Sequence, residues 1–348
     1  MQSPTPIDPG PRLLGRDLST ERARLRLSGP DARRFLHGMV SNDIKGLQPG
    51  QGCHAALLTV KGKLLADLVV YDCGDFGLLI ELVATARASV QSALDKHLIM
   101  DDAAIADISQ SVGELGVYGS AAAEFLGPAL GSSPSEVAAL PKYHGVLRGS
   151  AEVPLFCAAT TELGIPGFHV IGAPSELAAL AERLAAAGGT TLTAEAAEVM
   201  RVEAGTPFYG IDLDEDRMPA EAGLDDAVSF SKGCYLGQEV VVRLRDRGHL
   251  NRKLCGLRLP DGGAPPVAGT RLGHASRPLA GIITSAVSSP RYGTIALAYI
   301  HRSVWEPGTE LELIAPQAPP PAEPNEQRLG RTAIVVPLPF APPAAHSP

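Results

Sequence analysis

Residues 232–239 read Lys-Gly-Cys-Tyr-Leu-Gly-Gln-Glu and place a cation, a thiol, a phenol, an amide and a carboxylate close together. An amphipathic helix would need apolar residues at helical spacing here, and a half-buried strand would alternate apolar with polar residues. Gly233 and Gly237 instead indicate a backbone that turns sharply or approaches another segment closely. We therefore predict a loop that presents Lys232 and Cys234 at a pocket.

Two other polar pairs follow predicted helix ends. Arg201 and Glu203 lie just before a helix-terminating Pro207. Such an arginine can bind a carboxylate with two hydrogen bonds, or it can simply pair with Glu203 on the surface. Asn42 and Asp43 follow an earlier helix, and both residue types favour turns, so their placement fits either a site or turn chemistry.

A longer ordered pattern surrounds these residues. It consists of Arg201, Glu203, Gly205, Pro207, Gly210, Asp212, Pro219, Glu221, Gly223 and Leu224, followed by the octapeptide 232–239. This pattern resembles the YgfZ family, the folate-binding relatives of the glycine-cleavage T-protein (GcvT, an aminomethyltransferase). That family includes mitochondrial iron–sulfur assembly proteins. A looser resemblance extends from about Leu25 to Phe340.

The resemblance implies a tetrahydrofolate-binding accessory factor that supports assembly or repair of iron–sulfur clusters in client enzymes. Its partners would be iron–sulfur assembly proteins and those clients, with an indirect effect on tRNA modification. In T-proteins the arginine matching Arg201 touches the folate, and the stretch matching Asn42 and Asp43 lies near the folate channel. The residues expected at the folate are Asp67, Arg201, Glu203, Asn42, Asp43, Tyr235, Gln238, Glu239 and Arg243, with Lys232 and Cys234 as the reactive pair.

Two departures from the T-protein pattern bear on the chemistry. T-proteins carry two adjacent aspartates where this chain has Ala66-Asp67, and the glutamate that would hold the pterin ring corresponds to Ile165. A single Asp in an apolar strand is costly unless it is paired, so Asp67 should bond to a ligand or face a cation such as Lys63. The departures favour the accessory role, and the alternative is a folate-dependent aminomethyltransferase like the T-protein.

The thiol of Cys234 has three roles open to it. A neighbouring cation such as Lys232 can make a thiol nucleophilic or metal-binding if both side chains reach one face. The thiol would then be a transient ligand for an iron–sulfur intermediate or a sensor that is reversibly oxidised. The third role is structural, with the sulfur buried beneath Tyr235.

Composition narrows the class of protein. The formal charge of −8 over 348 residues argues against direct nucleic-acid binding, which needs a basic face. One basic run stands out, formed by Arg243, Arg245, Arg247, His249, Arg252 and Lys253. It fits a rim for the carboxylate end of a folate or for an acidic partner, or the solvated face of a strand, since residues 240–245 alternate Val with Arg.

The cysteines and the N-terminus indicate the compartment. Five scattered cysteines without a Cys-x-x-Cys pair argue against a zinc site or a self-sufficient cluster cage, and we expect no metal site. Their usage fits a reducing compartment. Residues 1–12 are polar and Pro-rich rather than a signal peptide, and no apolar run approaches the length of a membrane span. We expect a cytoplasmic bacterial protein that binds no membrane.

The predicted elements give an α+β fold in two parts. Residues 21–250 mix strands and helices without a steady βαβ rhythm, which predicts mostly antiparallel sheets after a flexible lead-in at 1–20. Residues 251–340 carry only short strand-like runs, which predict a small closed barrel with a Pro-rich loop at 315–331 and a last strand from Thr332 to Pro337. Residues 341–348 are expected to be a disordered tail. The resemblance implies that the first part is two intertwined antiparallel-sheet and helix subdomains around a folate channel.

Overall fold

A computed structural model describes residues 12–149, 153–316 and 327–340. They form two mainly antiparallel sheets flanked by helices, and a closed C-terminal barrel. The predicted α+β class with a terminal barrel is confirmed. No helix in these ranges is long and apolar enough to cross a membrane.

The first sheet comes from residues 22–107 and has the strand order β3-β4-β5-β2-β6. Its strands are β2 (Arg22–Ser28), β3 (Gly52–Leu58), β4 (Leu64–Asp72), β5 (Leu78–Val83) and β6 (Ala104–Asp107). In β2 the apolar residues Ala23, Leu25 and Leu27 alternate with polar residues, so one face of the strand packs into the core. Strands β3 and β4 pair in an antiparallel hairpin that places Ala56 opposite Asp67.

The second sheet has the order β11-β1-β7-β10-β9-β8. Its strands are β1 (Leu14–Asp17), β7 (Gly113–Tyr118), β8 (Gly145–Gly149), β9 (Pro154–Thr160), β10 (Gly167–Gly172) and β11 (Thr190–Thr191). The first strand of the chain therefore pairs with strands that follow the first sheet, which links the two subdomains. The predicted lead-in is wrong in part, since residues 14–17 form β1; residues 1–11 lie outside the described ranges.

The helices cover the faces of the sheets or connect them. They are α1 (Ala32–Met39), α2 (Arg87–His97), α3 (Ala122–Ala129), α4 (Pro134–Ala138), α5 (Pro174–Ala186), α6 (Ala194–Ala204) and α7 (Gln238–Arg247). Helix α6 begins at Thr193, whose hydroxyl accepts the Ala196 N–H, and ends at Gly205 in the left-handed conformation. Arg201 and Glu203 lie in the last turn of this capped helix.

The barrel closes in the order β12-β15-β14-β13-β16-β17. Its strands are β12 (Arg252–Leu259), β13 (Arg271–His274), β14 (Arg277–Ser289), β15 (Gly293–His301), β16 (Glu310–Ile314) and β17 (Arg328–Val336). The last strand begins at Arg328, so the predicted Pro-rich loop ends earlier than expected. Residues 317–326 of that loop and the predicted tail at 341–348 lie outside the described ranges.

Residues 238–247 correct the strand interpretation of the Val/Arg alternation, because they form helix α7. Gly237 precedes the helix at φ +81°, a conformation that starts the turn. Glu239 lies in the first turn and pairs with Arg243 one turn later at 2.7 Å. Val241 packs against the buried cluster that includes Leu58. This apolar contact and the local ion pairs stabilise a helix, although the alternation of Val with Arg is typical of a strand.

Candidate functional site

The octapeptide loop 232–237 and the first turn of α7 lie against the β3–β4 hairpin. A Cβ on Gly237 would meet the Thr59 carbonyl oxygen at 2.4 Å, and one on Gly62 would meet the Gly237 carbonyl oxygen at 3.5 Å. The backbone at Gly237 therefore lies very close to that of Thr59, and the sequence predicted a close approach of this kind. Gly233 is open, since a Cβ added there would have His37 Nε2 as its nearest neighbour, at 3.9 Å.

The hydrogen bonds of Lys232 go to the end of helix α1. Its Nζ donates to the carbonyl oxygens of Val40 at 2.6 Å and Asn42 at 3.0 Å, and also to that of His37. Burial, opposed by Asp43, lowers the pKa of the Lys232 ammonium to about 8. Lys232 thus anchors the octapeptide to the end of α1, where unpaired carbonyls favour a cation.

Cys234 is exposed, whereas Cys73, Cys157 and Cys255 are buried. The structural role beneath Tyr235 is therefore wrong, because the Tyr235 ring is buried with Leu58 and the Cys234 residue faces solvent. The octapeptide holds its reactive sulfur outward on an anchored loop.

The remaining octapeptide candidates lie on a groove of about 550 Å³ along α7, lined by Tyr235, Gln238, Glu239 and Arg243 among others. Gln238 Oε1 accepts the Tyr235 N–H at 3.3 Å. The paired side chains of Glu239 and Arg243 are 83 % and 70 % exposed. These residues line a surface groove, separate from the cavity that Arg201 lines.

Asp67 lies in β4 and pairs with a histidine rather than with Lys63, whose Nζ donates to the Asp216 carbonyl oxygen at 2.8 Å. Asp67 Oδ2 is 3.4 Å from His54 Nε2, and His54 Nδ1 is 3.0 Å from Asp226 Oδ1. Asp67 Oδ1 is buried without a hydrogen-bond partner in the described part of the chain. An unpaired carboxylate oxygen of this kind is a place where a ligand N–H could bind.

Asn42 and Asp43 support this group from the turn after α1. The Asn42 amide donates to the carbonyl oxygens of His54 and Asp226, both at 2.8 Å. Asp43 Oδ1 is 3.2 Å from His37 Nδ1 and accepts the Gly46 N–H at 3.1 Å. Both residues therefore make turn contacts, and Asn42 also joins β3 to the segment that carries Asp226.

Arg201 is buried in a dense set of contacts. Its guanidinium donates to Asp212 Oδ2 at 2.7 Å, to both oxygens of Glu198 at 2.6 and 2.8 Å, and to Ser285 Oγ at 2.8 Å. Glu203 does not pair with Arg201. It turns toward the barrel, where it accepts a hydrogen bond from Ser289 Oγ at 2.5 Å.

Arg201 also lines a cavity of about 380 Å³ between β1, β2, α6 and the segment 206–211. Phe208 forms one wall, with the Arg22 and Arg201 guanidiniums 5.8 and 6.0 Å from its ring centroid. Glu162 contributes a carboxylate, bonded to Arg22 at 2.6 Å and to the Tyr118 hydroxyl at 2.9 Å. An aromatic wall with a few fixed polar groups is typical of small-molecule sites.

Glu162 changes the expectation about Ile165. Ile165 packs beside Tyr118 and Leu192, so it offers the cavity no hydrogen bond. Glu162 lies three residues earlier and carries a carboxylate at the cavity wall. The loop therefore keeps one acidic group at the cavity, although at a different position from the T-protein glutamate.

Behind Glu162 lies a buried ion network. His169 Nε2 is 2.8 Å from Glu162, and His169 Nδ1 is 3.2 Å from Glu81 and 3.1 Å from Glu114. Although burial alone would lower it, Glu162 and Glu81 hold the pKa of His169 well above its usual value. Donor atoms of Glu81, Glu114 and His169 lie within 4.8 Å of one another. Two guanidiniums join them, with Arg22 at 3.8 Å from Glu81 and Arg24 at 3.5 Å from Glu114, and together these groups form a buried ion network.

Tyr143 lies beside the histidine of the Asp67 group. Its backbone has φ +65°, unusual for a residue with a side chain, and its ring centroid is 5.9 Å from that of His54. Besides burial, the largest cause, the charges of Asp226, Asp67 and Glu162 raise the pKa of its phenol. The half-buried phenol therefore lies in a negatively charged environment.

Sequence reasoning missed His54, Asp226, Glu162, Phe208 and Tyr143. One signal was available for His54. In the β3–β4 register His54 faces Val69 and Ala56 faces Asp67, so His54 and Asp67 are diagonal neighbours on one face. Pairing the predicted strands across the 61–63 turn would have revealed them. The partners from distant segments had no comparable signal.

Family models match most of the chain. The GCVT N-terminal domain matches residues 16–232, and the glycine cleavage T-protein C-terminal barrel domain matches residues 252–326. The first match covers most of the two sheets, and the second begins at β12 and ends before β17, the last strand of the barrel.

Similar proteins include an aminomethyltransferase of Rubrobacter xylanophilus, 32 % identical over 90 % of this chain and 79 % of the relative. One of Synechococcus elongatus is 32 % identical over 83 % of this chain and 77 % of the relative. The glycine cleavage system aminomethyltransferase T from Bartonella henselae has the same fold, with a TM-score of 0.81, 22 % identity, and coverage of 95 % of this chain and 87 % of that one. The chain belongs to the GcvT family, the family of the glycine-cleavage T-protein.

Proposed function

We propose that this protein binds a tetrahydrofolate between Asp67, Tyr143 and the Arg201–Phe208 cavity, and that it acts as an accessory factor in the maturation of iron–sulfur proteins. The YgfZ assignment within the GcvT family is part of this proposal. The observation that carries the accessory role is the exposed Cys234 on a loop that Lys232 anchors to α1.

The residues present fit a folate. Asp67 Oδ1 is buried without a hydrogen-bond partner among the described residues, which leaves an acceptor for a ligand N–H. Phe208 offers an apolar face for a flat ring, and Glu162 offers a carboxylate at the same cavity. When bound, a reduced folate supplies amine nitrogens that can carry one-carbon groups.

Two positions support the accessory role over transfer chemistry. Ala66, where T-proteins carry a second aspartate, is completely buried in the first sheet. Ile165, at the position of the pterin-binding glutamate, packs in an apolar cluster. Both positions have lost a carboxylate, so the chain keeps fewer acceptors for a reacting substrate than a T-protein has.

Aminomethyl transfer is the second candidate. The relatives named above are aminomethyltransferases, and their names support this candidate more directly than the accessory role. The retained Asp67 and Arg201 are compatible with it.

A turnover assay separates the two candidates. Purified protein is given tetrahydrofolate and an aminomethyl-lipoyl carrier protein, and ammonia release is measured. The accessory role predicts no release above the protein-free reaction, with tetrahydrofolate binding detected by calorimetry in the same preparation. Sustained turnover would instead establish the transferase.

Partners and compartment follow from the same proposal. Iron–sulfur assembly proteins and cluster-dependent enzymes, including those that modify tRNA, would meet the protein at the Cys234 surface. The five unpaired cysteines fit a reducing cytoplasm. Folate-dependent loss of client activity in cells carrying Cys234→Ala would support this part of the proposal.

A further inference from the structure

His54 lies between two carboxylates, with the Tyr143 ring beside it. Its Nε2 is 3.4 Å from Asp67 Oδ2, and its Nδ1 is 3.0 Å from Asp226 Oδ1. The His54 side chain is 9 % exposed, against 22 % for Asp67 and 47 % for Asp226. The imidazole is therefore the buried centre of the group, and both carboxylates are more exposed than it is.

Three separate segments hold this arrangement. Strands β3 and β4 make His54 and Asp67 diagonal neighbours on one face. Asp226 lies in the short turn Asp225–Ala227, and the Asn42 amide binds the carbonyl oxygens of both His54 and Asp226. Lys142 Nζ donates to the second oxygen of Asp226 at 2.9 Å. The position of the imidazole is thus fixed from both sides.

A protonated imidazole can donate to both carboxylates in this geometry. Both ring nitrogens face carboxylate oxygens, and a neutral ring carries a single N–H, so it would turn a lone pair toward one carboxylate. With His54 protonated, two cations balance two anions, because Lys142 and His54 face Asp226 and Asp67. Tyr143, whose ring packs on His54, is the other titratable group beside it.

We propose that His54 is a positioning residue whose imidazolium orients the Asp67 carboxylate as an acceptor, so that the site prefers a reduced folate ring, which carries additional N–H groups, to an oxidised ring. This inference rests on the proposed folate binding. It adds to it the chemical form of the ligand and the residue that selects it.

The charge state agrees with the geometry. Burial alone would lower the pKa of His54, but hydrogen bonds to Asp226 and Asp67 and their charges raise it to about 9. The imidazolium therefore persists at neutral pH and is lost in mildly alkaline solution. Asp67, with one oxygen held by His54 and the other lacking a donor in the described ranges, then has acceptor capacity for the ligand.

Calorimetric titration under anaerobic conditions tests the proposal. The ligands are tetrahydrofolate and folic acid, whose oxidised ring lacks N–H groups that reduction adds. The proteins are the wild type, His54→Gln, Asp67→Asn and the double variant, with His97→Gln as an exposed-histidine control on α2. We expect His54→Gln to weaken tetrahydrofolate binding about tenfold, the size of one charge-assisted hydrogen bond, and to leave folic acid nearly unchanged.

Two further results are expected. His54→Gln should add nothing to the loss in Asp67→Asn, because His54 acts through Asp67. Wild-type affinity for tetrahydrofolate should fall as pH rises through about 9, and the variant should lack this step. Equal losses for both ligands, additive losses in the double variant, or an unchanged pH profile would each overturn the role of His54.

The same titrations separate this inference from the proposed function. A wild-type protein that binds neither ligand rejects folate binding itself. A protein that binds tetrahydrofolate identically with and without His54 rejects only the present inference. If His54→Gln does not fold, Asp226→Asn removes the outer carboxylate from a half-exposed position, and the alkaline step should then move to lower pH. An unmoved step overturns the proposal.

Discussion

The Lys232 ammonium donates a hydrogen bond to the Val40 carbonyl oxygen at 2.6 Å, which ties the octapeptide to the end of helix α1. The same group reaches the carbonyls of His37 and Asn42. These acceptors lie in and just after the last turn of the helix, where carbonyls lack intrahelical partners. Lys232 is therefore a structural cap as well as a neighbour of Cys234 in sequence.

Lys232→Met should destabilise the protein, because three carbonyl oxygens lose one charged donor. We expect about 1–3 kcal/mol less free energy of unfolding, measured by urea denaturation. Cys234→Ala is the matched control from the same loop and should leave the midpoint unchanged. An unchanged midpoint for Lys232→Met, combined with loss of client activity in cells, would assign Lys232 a chemical role instead.

Cys234 should be the fast-reacting thiol. Burial raises the pKa of Cys73 and Cys157 to about 12 and of Cys255 to about 11, and burial together with Asp43 raises that of Cys53 to about 12. A chromogenic disulfide reagent should therefore label one cysteine rapidly in the native protein and all five after denaturation. Cys234→Ala should abolish the rapid phase, and a rapid phase that survives would contradict the structure.

His54 should make stability depend on pH. Its folded pKa of about 9 lies above the ordinary 6.5, so the folded state binds more protons in that interval. The contribution of His54 is complete below about pH 6.5 and is lost as pH rises through about 9, on the order of 3 kcal/mol in total. Urea denaturation at pH 7 and pH 10 should show a large difference between wild type and His54→Gln only at pH 7. Equal differences at both pH values would contradict the assignment.

The buried Arg201–Asp212 pair should contribute far more to the stability of the protein than an exposed ion pair does. Asp212→Asn removes an acceptor 2.7 Å from a guanidinium whose side chain is 7 % exposed. Breaking a buried pair by removing one partner costs about 3–5 kcal/mol. Glu239→Gln breaks the exposed pair with Arg243 and serves as control, with no expected change in the thermal midpoint. Similar shifts for both variants would show that burial does not govern these pairs.

Alanine should destabilise the protein at one octapeptide glycine and not at the other. Gly237→Ala forces a side chain into the left-handed region at φ +81° and against the Thr59 carbonyl oxygen. The left-handed backbone conformation alone costs about 1–2 kcal/mol of stability, and the clash with the Thr59 carbonyl oxygen adds to this cost. Gly233→Ala meets only His37 at 3.9 Å and should retain wild-type stability in the same thermal melt. A destabilised Gly233→Ala would mean that the loop packs differently.

Much of the fold followed from local pattern. The mixture of strands and helices predicted for residues 21–250 forms two mainly antiparallel sheets with helices, and the short runs after 251 form the closed barrel. Periodicity is a property of neighbouring residues, so the sequence alone carries it. Helix α7 was missed because its Val/Arg alternation suits a strand, and the conformation of Gly237 and the packing of Val241 decided the outcome.

The sequence by itself determined which residue types stand at the octapeptide, at Asp67 and at Arg201, and their order indicated a relative of the glycine-cleavage T-protein. Only the tertiary structure decided their partners. Lys232 binds carbonyls of residues 37–42, Asp67 faces His54 across a hairpin, and Asp226 reaches His54 from the distant turn 225–227. The strength of a hydrogen bond or an ion pair depends on a few ångströms of separation and on burial, and neither quantity exists until the chain has folded.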